Sequence, residues 1–261
     1  MGAAAAFKCL WVAGMMRSGS MWTFNVARAA LRAAGRQVLP DPVPQADEEM
    51  FGFANQAKVD QDINKVWVLK VHSFIRKDAP RSGFINTRRD LRDALMSYMR
   101  FMLCDFDHAL AAMVEAGEIT EYYKSFESNM ILHLRYEHIV NHPLDVARDI
   151  AEFCGVTLTE AGIANVVGQF EKARVERLIR DRENEIKQRA DAGEVILESE
   201  LVPQRFQSNV VRAFDPKTGF QSGHVSEYRD GSWRELLTQG QQQRMHAVLG
   251  DWLRRNGYQV D

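Results

Sequence analysis

Short apolar runs alternate with helical periods along the first 160 residues. Phe7–Ala13 is a compact apolar run ended by Gly14, which fits a buried strand. Ser20–Ala34 then repeats its apolar positions at helical spacing until Gly35 stops it. Pro40, Pro42 and Pro44 mark an irregular connection, after which Lys65–Val71 (KVWVLKV) and Gly83–Thr87 (GFINT) read as strands. Asp90–Leu103 reads as a helix with Leu91, Ala94, Leu95, Tyr98 and Met102 on one side. Asp105–Glu127 predicts one or two helices divided near Gly117, and Met130–Arg135 predicts another buried strand. Asn141 with Pro143 marks a capped helix start, Gly155 its end, and Thr159 the next start.

Beyond this the pattern changes. Gln169–Ala192 is charged and polar over helical length, and Gly193–Gly223 has little periodicity. The end returns to amphipathic helix at Ser232–Gln239 and Gln241–Asn256, with Met245, Val248, Leu249 and Trp252 at core spacing. Strands alternating with helices predict an α/β fold of three layers, P-loop-like, with a central, mostly parallel sheet flanked by helices. The expected organisation is one domain over 1–261, with 169–223 as a polar helical segment or lid.

Composition narrows the function classes. The chain has 261 residues, 46% hydrophobic and 26% charged, with a formal net charge of −2. There is no basic excess to suggest nucleic acid as a partner. Cys9, Cys104 and Cys154 are far apart and odd in number, which argues against a zinc site or a disulfide framework and for buried thiols in a reducing compartment. The first apolar run is too short for a membrane span and lacks a basic leader, and Ala6 stands where a myristoylation motif after Gly2 wants Ser or Thr. The expectation is a cytoplasmic protein with no membrane partner.

Chemistry concentrates at Gly14-Met15-Met16-Arg17-Ser18-Gly19-Ser20, between the first strand and first helix, where free N–H groups and a helix dipole favour an anion. Gly-x-x-x-x-Gly is also the frame of nucleotide-triphosphatase loops, but Ser20 and Met21 replace the lysine and the magnesium ligand. A glycine turn serving packing alone fits the spacing equally well. Met15–Trp22 (MMRSGSMW), however, resembles the 5′-phosphosulfate loop YPKSGTTW of cytosolic sulfotransferases, with Arg17 in place of lysine. Arg89-Asp90-Leu91-Arg92-Asp93 with Ser97-Tyr98 resembles the family's 3′-phosphate motif, and Lys70-Val71-His72 its K-T-H. Leu134–Val140 with Pro143 and Gly231–Arg234 are softer matches, and Ser226-Glu227-Tyr228 departs from the family's R-K-G.

This resemblance implies a donor, 3′-phosphoadenosine 5′-phosphosulfate (PAPS), leaving as 3′,5′-adenosine bisphosphate (PAP), and no metal. Arg17, Ser18, Gly19, Ser20, Met21 and Trp22 would hold the 5′-phosphosulfate, and Arg89 and Ser97 the 3′-phosphate. His72 would accept the acceptor's proton, while Lys70 and Arg17 would stabilise charge on the leaving oxygen. Arg229 or His224 would replace the missing R-K-G contact, because Glu227 repels phosphate. The acceptor is a small molecule with a hydroxyl or amine. Its walls are expected around Phe51–Phe53, Phe74, Phe101–Phe106 and 193–223, with Glu48, Glu49, Asp105 and Asp107 nearby. The rivals are an ATP-dependent phosphotransferase and a noncatalytic nucleotide-binding protein, and a homodimer is left open.

Overall fold

The computed structural model describes residues 7–79, 81–207, 209–225 and 228–260. The central sheet consists of β2 (Gln37–Leu39), β3 (Lys65–Val71), β1 (Cys9–Ala13), β4 (Ser82–Arg88) and β5 (Ile131–Arg135), in that order. Every neighbouring pair is parallel. All five residues of β1 are buried. Successive strand side chains point to opposite faces, so that burial requires cover on both sides.

The cover comes from the intervening helices. α1 (Ser20–Ala33) packs against α6 (Pro143–Phe153), α7 (Glu160–Gly168) and the sheet. α2 (Asp47–Val59) packs on β3, and α3 (Leu91–Met102) on α4 (Phe106–Lys124). α5 (Tyr136–Asn141) continues directly from β5. α8 (Lys172–Asp191) is followed by the antiparallel hairpin of β6 (Leu201–Pro203) and β7 (Val211–Ala213). α9 (Trp233–Leu236) and α10 (Gln239–Arg255) close the chain, with Met245, Leu249 and Trp252 in a second core beside α3 and α4. Among the described residues no helix is long and apolar enough to cross a membrane.

Several local expectations are corrected. Of the one or two helices expected over Asp105–Glu127 the structure has one, α4, and Gly117 within it makes room for the Trp252 ring, which a Cβ there would approach to 3.1 Å. Asn141 ends α5, and His142 takes the cap position before Pro143. Val248 is exposed, while Leu253 takes a core position instead. Cys9 and Cys154 are buried thiols pushed up to about 12 by burial, whereas Cys104 is only partly buried. Of the departures, β2 and α2 matter most, since neither is marked by a clear period.

The turn out of β1 is sterically set. A Cβ on Gly14 would overlap the Thr87 hydroxyl and come within 2.9 Å of the Thr87 nitrogen. Gly14→Ala must therefore push β1 from β4, at a cost of about 2–3 kcal/mol. Urea unfolding checks this, and an unchanged midpoint would contradict it.

Candidate functional site

A cavity of about 800 Å³ opens at the C-terminal end of β1 and β3, within the range of small-molecule and cofactor sites. The turn from β1 into α1 forms its floor. Arg17 and Gly19 both take positive φ, 64° and 84°, which directs the chain into α1 with no acidic residue in the first turn. Thr23 N–H is the first to reach back to the loop, donating to Gly19 O, so the amides of Ser20, Met21 and Trp22 precede the helical ladder at the positive end of the dipole.

Arg17 projects into this space. Its Nε donates to Ser97 Oγ at 2.9 Å and its Nη2 to the His224 carbonyl at 3.0 Å, while its guanidinium lies 4.4 Å from the Phe101 ring centre. No carboxylate pairs with it among the described residues. Burial, and then repulsion from Arg89 and Arg212, lowers its pKa to about 9. Arg89 leaves the end of β4 at the cap of α3, with its guanidinium over Tyr136 at 3.9 Å. Its Nη1 donates to Arg17 O, its Nη2 pairs with Asp230 Oδ1 at 2.6 Å, and its buried Nε has no partner among the described residues.

At the end of β3, Lys70 Nζ and His72 Nε2 meet at 3.0 Å. His72 Nδ1 lies 2.7 Å from Gly14 O, and a carbonyl only accepts, so Nδ1 carries the proton and Nε2 presents its lone pair. Asp47 Oδ2 accepts from the His72 backbone N–H at 2.7 Å. Burial chiefly, then the neighbouring Lys70, lowers His72 to about 4, against the opposing pull of Asp47 and the Gly14 carbonyl. Burial lowers Lys70 too. The site thus holds a neutral imidazole whose Nε2 accepts from Lys70 Nζ.

The structure brings together Arg17, Gly19, Ser20, Met21, Trp22, Lys70, His72, Arg89 and Ser97 around one cavity. Ser18 is the exception. Its hydroxyl is fully buried and bonded to Met15 O and Thr87 Oγ1, both at 2.6 Å, so its side chain ties the loop to β4 and does not face the cavity. The acceptor walls are corrected in part: Phe101 lines the cavity, with Phe214 and Phe220 from the irregular stretch, but Phe51, Phe53, Phe74 and Phe106 do not. Asp105 caps α4 and Asp107 pairs with Arg244, so neither they nor Glu48 and Glu49 supply the cavity's acids; Asp47, Glu171 and Asp230 do.

Sequence reading missed Asp47 and Asp230. Glu227 lies outside the described residues. Arg229 lines the cavity but pairs with Glu235 at 2.7 Å, and His224 lines it beside Arg17. The polar segment also contributes a wall through Phe170, Glu171, Lys172 and Val175. No cluster of three or more metal-ligating side chains occurs among the described residues.

The two cavity histidines, both half-buried, give the protein a defined pH response. His72 and His224 stay neutral in the folded chain but protonate near 6.5 when it unfolds. The unfolded state therefore binds more protons below that value, and stability falls from about pH 6.5 towards 4. Asp93, raised to about 6 chiefly by burial, opposes this over the lower part of the window, two histidines against one carboxyl. The expected result is a lower urea midpoint at pH 5 than at pH 7; a higher one would contradict the neutral state of the two histidines in the folded chain.

Residues 67–160 match the family described as "Sulfotransferase family". No curated protein matches the chain. Among solved structures, mouse sulfotransferase SULT7A1 complexed with PAP is 12% identical, with a TM-score of 0.60 over 97% of this chain and 87% of that one. Retinol dehydratase, in a complex with retinol and PAP, is 14% identical, with a TM-score of 0.59 over 100% of this chain and 85% of that one. Residues 67–160 thus match the sulfotransferase family in sequence, and the chain as a whole has the fold of SULT7A1 and retinol dehydratase.

Proposed function

We propose that the chain transfers a sulfuryl group from PAPS to a hydroxyl or amine of a small-molecule acceptor. The observation that carries this reading is the convergence of Arg17 and Arg89 at the N-terminus of α1, within one cavity that also holds His72 Nε2. Two guanidiniums, the half-buried Arg17 with no carboxylate among the described residues and the buried Arg89 with an unsatisfied Nε, form a site that a multiply charged anion would complete. The PAP bound by the structural neighbours supports PAPS as the donor, and the retinol bound by one of them supports a small acceptor.

The residue roles follow from the chemistry. Arg17 and the first amides of α1 would bind the 5′-phosphosulfate, with Gly19 letting the backbone approach, Met21 and Trp22 flanking the nucleotide, and Ser97 orienting Arg17. Arg89 would bind the 3′-phosphate once Asp230 gives way. Lys70 would turn from His72 to the bridging oxygen, neutralising charge as the sulfur–oxygen bond breaks. His72, released from Lys70, would take the acceptor's proton on Nε2 as the new oxygen–sulfur bond forms. The electron pair of the broken bond stays on the 5′-phosphate, so neither a metal nor a covalent enzyme intermediate is needed. We take the chain to act as one domain, with residues 169–223 as the cavity's cover.

Radiosulfur-labelled PAPS, incubated with pooled phenols, alcohols and amines in EDTA, tests the reading. Formation of PAP and a labelled sulfate ester or sulfamate in equal amounts is expected. Phosphorylation of the same pool from ATP and magnesium, with PAPS left intact, would overturn it.

A further inference from the structure

The cavity contains a second histidine whose orientation is as well determined as that of His72. The Gln221 backbone N–H donates to His224 Nδ1 at 2.9 Å. That nitrogen must carry a lone pair, so the proton sits on Nε2. The ring is stacked on Phe101, with centroids 5.0 Å apart and planes 8° apart, and the edge of Phe220 closes another side. The His224 carbonyl accepts from Arg17 Nη2 at 3.0 Å, which couples the residue to the phosphate loop. Nε2 has no partner among the described residues, and His224 lines the cavity. The two imidazoles therefore present opposite functions, a lone pair at His72 and an N–H at His224.

The place of this N–H is set by its neighbours. Burial chiefly, then the nearby Arg17, Lys70 and Arg212, holds the His224 ring well below its usual value and keeps it neutral. His224 lines the same cavity as Arg17, Lys70 and His72, and its carbonyl is bonded to Arg17 Nη2, so its free N–H is a neutral donor beside the loop that would hold the phosphosulfate. We propose that His224 is a further catalytic residue, donating a hydrogen bond from Nε2 to an oxygen of the transferring sulfuryl group. It keeps its own proton throughout, since the acceptor's proton goes to His72 Nε2 and the electron pair of the broken sulfur–oxygen bond to the PAP phosphate. A neutral donor fits this position because it adds attraction for the sulfuryl oxygens without adding charge to a site already crowded by cations.

The assignment rests on the sulfuryl-transfer reading, and binding separates the two. Inorganic sulfate, titrated calorimetrically into the protein saturated with PAP, stands in for the transferring group. His224→Phe preserves a ring on Phe101 but removes the donor; His224→Gln restores an N–H donor at similar reach. One hydrogen bond to a charged oxygen corresponds to a loss of roughly tenfold or more in sulfate affinity for His224→Phe. His224→Gln should stay within about threefold of wild type, and PAP affinity should be unchanged in both. Unchanged sulfate affinity in His224→Phe, an equal loss in both variants, or no sulfate binding by wild type beside PAP would overturn the assignment and leave the nucleotide reading intact. Failure of wild type to bind PAP would overturn the reading and the assignment together.

Discussion

His72→Ala is expected to lower sulfuryl turnover by about a thousandfold while leaving PAP affinity within about threefold of wild type. The separation follows from geometry. The reactive Nε2 faces Lys70 at 3.0 Å and Nδ1 is spent on Gly14 O, so the side chain has no free donor for the nucleotide phosphates. Deleting it removes the proton acceptor and leaves Arg17, Arg89 and the α1 amides in place. The pH profile gives a second readout. Because His72 is held near 4 in the free protein, the acid limb of kcat/KM should fall close to that value and not near 6.5. Equal losses of turnover and PAP binding would show that His72 supports the cavity and does not act as a base.

Arg89→Ala is expected to weaken PAP binding by about a hundredfold or more, the loss of one or two charge-assisted bonds to a phosphate. Asp230 makes the test sharper. In this structure its carboxylate holds the Arg89 Nη2 that a phosphate would use, and it is 59% exposed, so it can leave without burying a charge. Asp230→Asn should therefore preserve or strengthen PAP binding while Arg89→Ala destroys it. If both variants lost PAP binding equally, the Arg89–Asp230 pair would be a structural tie that shapes the cavity, and the 3′-phosphate would be held elsewhere.

The parts of this site that were legible in the sequence are those that regular structure positions. Val66–Leu69 is an unbroken apolar run within β3, so Lys70 near the strand's end and His72 just after it arrive together without further information. The strand, glycine turn and helix likewise place Arg17, and the spacing from Arg89 to Ser97 spans a strand end and two turns of α3. Motif likeness gave positions but not directions: Ser18 occupies its expected place, yet its hydroxyl turns inward because Thr87 and Met15 O satisfy it there. Asp47 was missed because α2 buries few side chains, chiefly Met50 and Ala57, leaving almost no apolar period to announce the helix that carries it. Gly193–Gly223 and the residues that follow it have little periodicity to fix which side chains point inward. There, long-range bonds decide, such as Gly231 N–H to Asp93 and Arg17 to the His224 carbonyl.

The central claim, that the cavity is built for a nucleotide carrying both 3′- and 5′-phosphates, is tested most directly by calorimetric titration of PAP into the wild-type protein, with ATP titrated in parallel. The account predicts binding of PAP at micromolar concentration or tighter and none of ATP at the same concentrations. Tighter binding of ATP than of PAP, or binding of neither, would contradict it.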